Sequence, residues 1–135
     1  MSIETKEAVV VSACRTPIGK FMGSLKDIQA VELATLVSKE AIARAGIDGS
    51  LIDEIVMGEV YPHMQGSLPA RQVAMRAGLP VRSGAVNINQ NCASSMRAME
   101  IAASNIQLGK TDISLVVGVE LSLIHIWNFF GSSKA

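Results

Sequence analysis

Segments with strand character alternate with segments of helical character along this chain of 135 residues. Runs of β-branched or alternating apolar residues predict strands over Ala8–Cys14, Glu54–Gly58, Ala85–Asn91 and Asp112–Val119. When a helix connects two strands of one sheet, the strands are parallel and the crossover is right-handed. The order β-α-β-α-β-α-β therefore predicts an α/β fold in which alternating β-α units build a mostly parallel sheet.

Two of the intervening helices have clear ends in the sequence. Apolar residues at positions 30, 33, 34, 37 and 41 share one helical face, and Gly46 follows as the expected left-handed C-terminal residue. The next helix is expected to begin at Ser67 and Pro69 and to end near Gly78. Both helices are expected to cover the sheet between consecutive strands.

The third helix follows the predicted strand Ala85–Asn91 directly, and Cys92 lies at its start. Ligands of parallel α/β sheets bind outside the carboxyl ends of the strands. The free N–H groups and positive dipole of a helix start favour the thiolate form of a cysteine. Cys92 is therefore the candidate nucleophile, the alternative being a buried structural cysteine. The structural interpretation is preferred for Cys14, which ends the first predicted strand.

Spacing along the third helix predicts its packing. Four of its apolar residues recur at helical intervals and are expected on the side that faces the core. They are Met96, Met99, Ala103 and Ile106. Gly109 is expected to close this helix before the last strand.

Charge and hydropathy exclude several classes of protein. Twelve basic and twelve acidic residues give a formal net charge of +0, so no surplus of cations is available to neutralise phosphates. No apolar run approaches the roughly 18 residues that span a bilayer, and Glu4, Lys6 and Glu7 stand where a secretory signal needs apolar residues. We therefore expect a cytoplasmic protein that binds neither nucleic acid nor membrane.

Metal and nucleotide motifs are missing from the sequence. The cysteines are far apart, and His63 and His125 cannot complete a zinc spacing with them. Neither a P-loop nor GxGxxG follows a predicted strand. The remaining charged candidates, which are expected on solvated faces, are Asp53, Glu54, Arg71, Arg76 and Arg82. No metal and no cofactor is expected.

Four segments, taken in order, resemble the thiolases (acetyl-CoA C-acyltransferases). The most specific is Val86–Ala98, VNINQNCASSMRA, which resembles the segment that carries the acylated cysteine of that family. The other three are Val10–Phe21, Leu68–Pro80 and Gly118–Glu120. One difference is Ser95, which stands where thiolases usually have glycine.

The resemblance implies a thiolase-like fold, of which residues 1–120 are part of the amino-terminal domain. It also implies that Cys92 accepts an acyl group from acyl-CoA as a thioester, while its backbone N–H stabilises the oxyanion. Coenzyme A thioesters would be substrates rather than cofactors. In thiolases the activating histidine, the second catalytic cysteine and the coenzyme A loop belong to later parts of the protein. The complete enzyme is expected to be a homodimer or homotetramer.

Two other interpretations remain open at this point. One is a different condensing enzyme of the thiolase superfamily, such as a ketoacyl synthase. The other is a non-catalytic fragment or association module, in which Ala85–Asn91 is an exposed edge strand. The loop Arg15–Gly19 and the segment Asn91–Ser94 favour a thiolase proper.

The last fifteen residues differ in character from the rest. The family pattern ends at Glu120, and Trp127, Phe129 and Phe130 crowd three of the five aromatic residues into the last nine positions. Apolar residues in this stretch follow no period of 2 or 3.6. Residues 121–135 are therefore predicted to be a non-native or disordered tail.

Overall fold

The computed structural model of the chain describes residues 6–62 and 65–121. Strands and helices alternate from the first helix onward, with a short 3-10 turn at Gly49–Leu51. Their bounds are α1 Ala30–Ala45, β1 Glu54–Gly58, α2 Pro69–Ala77, β2 Gly84–Ile88, α3 Ser94–Gln107 and β3 Ser114–Gly118. Every predicted helix is confirmed, and so are the last three of the four predicted strands.

The three strands form one sheet in the order β2-β1-β3, and both pairs are parallel. The register aligns Gly58 at the end of β1 with Ile88 of β2 and Gly118 of β3. The loops that follow the three strands therefore leave the sheet together, at its carboxyl edge. This arrangement confirms the predicted α/β fold, and it leaves β2 at one side of the sheet.

The core has one layer on each face of the sheet. Ile55 and Met57 of β1 are fully buried against α1 and α2, where they contact Val31 and Val73. Val56, which points to the opposite face as strand geometry requires, is buried against Ala98 and Ala102 of α3. The chain thus forms three layers in which α3, the helix after Cys92, covers one face alone.

Helices α1 and α2 use partners from other elements at their amino ends. The N–H of Val31 in the first turn of α1 donates to the Gln65 side-chain oxygen at 2.9 Å, and that of Ala70 in α2 donates to Asn87 Oδ1 at 2.9 Å. Such contacts satisfy donors that have no partner within a helix. At the carboxyl end of α1, Gly46 has a φ of 67°, which glycine adopts without strain, as the sequence predicts.

The prediction of a buried strand over Ala8–Cys14 is wrong. This run belongs to no strand, and Val9, Val10 and Val11 expose 66%, 75% and 69% of their surface. A β-branched run forms a strand only beside a partner that accepts and donates its backbone hydrogen bonds. The described sheet offers none, because a cavity lined by both this run and β3 separates the two.

The predicted core-facing side of α3 is also wrong in part. Met96 and Met99 are 76% and 54% exposed, whereas Ser94, Ala98 and Ala102 are buried. The small residues face the sheet because the helix lies close to it, and this rotates the two methionines outward. Hydrophobicity alone could not show this, since the closest approach of a helix is set by its smallest residues.

The segment predicted to be a non-native tail lies outside the described residues, apart from Leu121, and so do His63 and His125. Leu121 itself is buried in a small cluster with Ala30 and Leu33. Within residues 6–62 and 65–121, no helix is both long and apolar enough to cross a bilayer.

Candidate active site

Cys92 lies in the turn that joins β2 to α3, at the carboxyl edge of the sheet. Ile88 ends β2, and Ser94 is the first residue of α3, so a turn of five residues connects them. The thiol is free and the residue is exposed, which excludes the interpretation of Cys92 as a buried structural cysteine. An exposed thiol at this edge can be approached by a ligand from solvent.

Side chains close the turn around the cysteine. Ser94 Oγ donates to the carbonyl oxygen of Asn91 at 2.6 Å and accepts the N–H of Gln90 at 2.9 Å. Asn89 Oδ1 accepts the N–H of Asn91 at 3.1 Å. Asn91 itself has a φ of 49°, in the left-handed region that asparagine tolerates better than most residues. The residue before the cysteine is therefore held in an uncommon conformation by its neighbours.

The N–H of Cys92 differs from those of its neighbours on both sides. The N–H groups of Gln90, Asn91, Ala93 and Ser94 all have acceptors within the turn, the last two being the carbonyls of Gln90 and Asn91. Within the described part of the chain, no acceptor is found for the N–H of Cys92. Cys92, the residue that carries the thiol, therefore keeps its N–H available.

Two glycines let the first turn of α3 approach the sheet. A Cβ atom on Gly58 of β1 would lie 2.5 Å from the backbone of Ser94 and Ser95. A Cβ atom on Gly118 of β3 would overlap the side chain of Ser95. Glycine is needed at both positions because helix and strand backbones nearly touch. These contacts fix the height of the cysteine turn above the sheet.

The loop after β1 ties the neighbouring loops together. The carbonyl oxygen of Val60 accepts Asn89 Nδ2 at 3.0 Å, which links this loop to the cysteine turn. Glu120, which follows β3, accepts the N–H groups of Val60 and Tyr61 at 3.1 and 3.3 Å. The Cys92 turn is thereby connected through Val60 to the end of β3.

A buried carboxylate lies under this loop. Glu59 is only 3% exposed, and its oxygens accept Gln65 Nε2 at 2.8 Å and Asn87 Nδ2 at 3.4 Å. These are the same two amides whose oxygens satisfy the first turns of α1 and α2. Because a carboxylate only accepts hydrogen bonds, it determines which way each amide points. Nothing in the sequence pattern singled out Glu59, since a lone acidic residue after a strand is ordinary.

A cavity of about 940 Å³ lies between β3 and the segment that precedes α1. Mostly apolar residues line it, from the segment Ala8–Gly19 and from α1, α3 and β3, and Cys92 is not among them. Cys14 lies in this wall and donates its S–H to the carbonyl oxygen of Val37 at 3.2 Å. The structure thus does not bring the two cysteines to a common site.

Several charged residues expected on solvated faces have structural contacts at the opposite edge of the sheet. Asp53 Oδ2 accepts the N–H groups of Asp112 and Ile113, and these bonds lower the pKa of its carboxyl group. Glu54 accepts Asn105 Nδ2 at 3.0 Å and Ser114 Oγ at 2.8 Å. Both residues are only half-buried, and they bind donors of the protein as well as facing solvent.

Among the arginines, the guanidinium group of Arg71 donates to the carbonyl oxygens of Val81 and Ser83. That of Arg82 donates to Ser50. These contacts hold loops rather than a ligand. In the described ranges, no cluster of three acidic, histidine or cysteine residues could hold a metal ion.

Comparison with known families identifies the chain. Residues 8–124 match the amino-terminal domain of thiolase. The chain belongs to the thiolase family. The match covers every described strand and helix, together with the cysteine turn.

Relatives and solved structures agree with this assignment. An acetyl-CoA acetyltransferase of Syntrophomonas wolfei is 44% identical over 116 residues, which is 86% of this chain and 29% of the relative. The crystal structure of the Bacillus anthracis acetyl-CoA acetyltransferase superimposes with a TM-score of 0.86 at 35% identity, over 92% of this chain and 32% of that one.

A third protein was solved with a ligand. Acat5 thiolase of Ascaris suum, in complex with coenzyme A, is 39% identical with a TM-score of 0.77, over 78% of this chain and 28% of its own. The chain spans less than a third of the length of these three proteins.

Proposed function

We propose that Cys92 is the acyl-accepting nucleophile of a thiolase-type acyltransferase. The observation that carries this proposal is the exposed thiol in a turn whose free N–H belongs to the same residue. A nucleophile that takes the acyl group onto sulfur divides a difficult carbon–carbon bond reaction into two easier steps. The match of residues 8–124 to the thiolase amino-terminal domain supports the assignment.

In the proposed step, the Cys92 thiolate attacks the carbonyl carbon of an acyl-CoA. The carbonyl oxygen becomes an oxyanion, which the Cys92 N–H stabilises, and the carbon–sulfur bond to coenzyme A then breaks. Coenzyme A leaves as a thiolate and takes up a proton, while the acyl group remains on Cys92 as a thioester. Oxyanion donors of this kind typically contribute about 10²- to 10³-fold in rate.

The second half of the reaction would use the acyl group in either direction. In condensation the carbanion of another acyl-CoA attacks the Cys92 thioester, the Cys92 thiolate leaves, and acetoacetyl-CoA or a longer 3-ketoacyl-CoA is formed. In thiolysis Cys92 first attacks the 3-keto carbon of a 3-ketoacyl-CoA, and the carbon–carbon bond breaks to release a carbanion that takes up a proton to give acetyl-CoA. Coenzyme A then takes the acyl group from Cys92 and frees the thiolate. Resemblance to thiolases assigns the activating histidine and the second cysteine to later parts of the protein. The proposal therefore gives this chain only the acyl-accepting step.

The wider setting follows from the same resemblance. The substrate is an acyl-CoA, in line with the Ascaris suum thiolase that was solved with coenzyme A. The complete enzyme is a cytoplasmic homodimer or homotetramer. An exposed edge supports association, because β2 ends the sheet on its side and Val86 is 38% exposed. In this proposal residues 1–120 are part of the thiolase amino-terminal domain, and residues 121–135 are a non-native or disordered tail.

The nucleophile can be tested in a complete enzyme. Residues 1–120 are joined to the remaining part of the Syntrophomonas wolfei relative, the chimera is incubated with radiolabelled acetyl-CoA, and the labelled peptide is identified. We expect label on the peptide that contains Cys92, lost in Cys92→Ala and kept in the matched control Cys14→Ala. Label that survives Cys92→Ala and disappears in Cys14→Ala contradicts the assignment.

The 135-residue chain alone is expected to cleave acetoacetyl-CoA only at the background rate. The reason is that the base and second cysteine of a thiolase are expected elsewhere. The measurement is the loss of acetoacetyl-CoA absorbance with added coenzyme A, beside the chimera as the positive control. Turnover by the chain near that of the chimera would show that a complete active site is present in these residues.

A further inference from the structure

We propose that Asn89 and Ser94 are positioning residues that keep the Cys92 N–H available as the oxyanion donor. The inference rests on the proposed role of Cys92 and names the groups that make it work. Neither side chain touches the acyl group. Each one instead binds a neighbouring N–H of the turn, which leaves the cysteine donor without an internal partner.

The hydrogen bonds of the turn give the first argument. A tight turn between a strand and a helix presents several N–H groups in succession, and in the absence of side-chain acceptors they compete for the same few carbonyls. Here Ser94 Oγ takes the N–H of Gln90, and Asn89 Oδ1 takes that of Asn91. The carbonyls of Gln90 and Asn91 take those of Ala93 and Ser94. The Cys92 donor is therefore left without an acceptor in the turn.

Backbone conformation gives the second argument. The φ of 49° at Asn91 turns the following peptide, whose N–H belongs to Cys92, away from the direction that a helical φ would give. A left-handed residue other than glycine costs about 1–2 kcal/mol unless its surroundings hold it. The contacts from Ser94 Oγ to the Asn91 carbonyl at 2.6 Å and from Asn89 Oδ1 to the Asn91 N–H hold both sides of this residue.

Anchoring of the two side chains gives the third argument. Ser94 is 3% exposed, and its backbone lies where a Cβ on Gly58 would collide with it, so its hydroxyl cannot move far. Asn89 is exposed, but its Nδ2 donates to Val60 at 3.0 Å, and the N–H of Val60 is in turn bound by Glu120. The orientation of the Asn89 amide is thereby set from the loops that follow β1 and β3.

The test compares two reactions of the same thiolate. Acetylation by p-nitrophenyl acetate places an oxyanion on the ester carbonyl before p-nitrophenolate leaves. Alkylation by iodoacetamide displaces iodide and forms no oxyanion. The ratio of the two second-order rate constants cancels the thiolate fraction and the exposure of the sulfur. It therefore reports the contribution of the N–H donor. A Cys14→Ala background leaves Cys92 as the one thiol of the 135-residue chain.

We expect the ratio in the folded chain to exceed its value in concentrated urea by about tenfold, which is below the usual range for oxyanion donors because the turn is open to water. Asn89→Ala and Ser94→Ala should each remove most of this excess. Asn89→Ser should retain it, since a serine hydroxyl can accept the N–H two residues later. Circular dichroism shows whether each variant is folded. If Ser94→Ala does not fold, the test is decided by Asn89→Ala, because Asn89 is exposed.

Loss of general stability would not change this ratio, so the measurement separates positioning from a structural role. An unchanged ratio in folded Asn89→Ala overturns the inference. If the folded chain with Asn89 and Ser94 intact gives the same ratio as the chain in urea, both the inference and the oxyanion role of the Cys92 N–H are overturned. The nucleophile itself is decided independently by acetyl-CoA labelling, so the two proposals can fail separately.

Discussion

At both ends of the sheet, where the strands begin and where they end, a carboxylate accepts two backbone N–H groups. The two ends differ in whether a nearby backbone N–H is left without an acceptor. At the amino edge, Asp53 at the start of β1 accepts two consecutive N–H groups, those of Asp112 and Ile113 before β3. At the carboxyl edge, Glu120 after β3 accepts the consecutive N–H groups of Val60 and Tyr61 after β1. A carboxylate next to β1 thus binds the segment before β3, and a carboxylate next to β3 binds the segment after β1.

The difference lies in the further residue that is hydrogen-bonded near each carboxylate, which is Glu54 at the amino edge and Asn89 at the carboxyl edge. At the amino edge, Glu54 joins the pair to α3 and to β3 through Asn105 and Ser114, and its contacts serve packing alone. At the carboxyl edge, Asn89 joins the pair to a turn that keeps the N–H of Cys92 free. A fold can therefore use the same bonds for packing at one end of the sheet and for holding an exposed thiol at the other.

The largest effect is expected when the contact beneath the carboxyl edge is broken. Gly58→Ala would place a Cβ 2.5 Å from the backbone of Ser94 and Ser95, so α3 must move off the sheet. We expect a loss of about 3 kcal/mol or more in the free energy of unfolding, measured by urea denaturation. The matched control is Gly49→Ala, where the new Cβ meets its nearest atom at an ordinary 3.5 Å. Equal losses in the two variants would contradict the close approach.

A smaller effect is expected at the amino edge. Asp53→Ala leaves the N–H groups of Asp112 and Ile113 without their acceptor. Because this edge is partly open to water, we expect a loss of about 1–2 kcal/mol in the free energy of unfolding. The rate of Cys92 alkylation by iodoacetamide should not change in folded Asp53→Ala. A parallel loss of thiol reactivity would show that the two edges are coupled rather than independent.

Low pH should weaken the hydrogen bonds that the Asp53 carboxylate accepts from Asp112 and Ile113. Backbone hydrogen bonds hold the pKa of Asp53 below its ordinary value of 3.8, so its ionised form is favoured by folding. Its contribution is present above about pH 4–5 and is lost as the pH falls through the folded-state pKa. The difference in unfolding free energy between the unaltered chain and Asp53→Asn should therefore be smaller at pH 3 than at pH 6. A difference that grows on acidification would reverse the assigned direction.

The smallest effect is expected on the outer side of α3. Met96 is 76% exposed, so Met96→Gln should change the free energy of unfolding by no more than about 0.5 kcal/mol. Ala98→Gln provides the contrast, because Ala98 is fully buried against Val56 and a longer side chain has no space there. Comparable losses in the two variants would restore the prediction that Met96 faces the core.

The strands and helices that the sequence predicts well are those with local signals. Gly46 closes α1 and Pro69 opens α2 as predicted, because φ preferences act within one residue. The strand prediction for Ala8–Cys14 is wrong because pairing depends on a neighbour that lies far away in the sequence. The prediction that Cys92 lies between a strand and a helix is confirmed, although α3 begins at Ser94, two residues later than predicted.

The supporting residues of the site were harder to predict. Asn89, Glu59 and Glu120 act through bonds to loops that are distant in sequence, and no periodicity marks them. Gly58 could be identified only once α3 was known to lie above it. The sequence pattern indicates Cys92 as the candidate nucleophile, whereas the bonds that hold its turn depend on the register of the sheet.

The position of β1 between β2 and β3 also affects the order in which the two strand pairs form during folding. Glu54 pairs with Gly84 in β2 and with Ser114 in β3, and Ser114 lies twice as far from it along the chain. Closing the longer loop costs more entropy, and during synthesis β3 is also the last of the three to emerge. We therefore expect the ladder of β1 and β2 to form first, with the cysteine turn already in place. Pairing of β3 with β1, together with the hydrogen bonds from Val60 and Tyr61 to Glu120, would then be the last step.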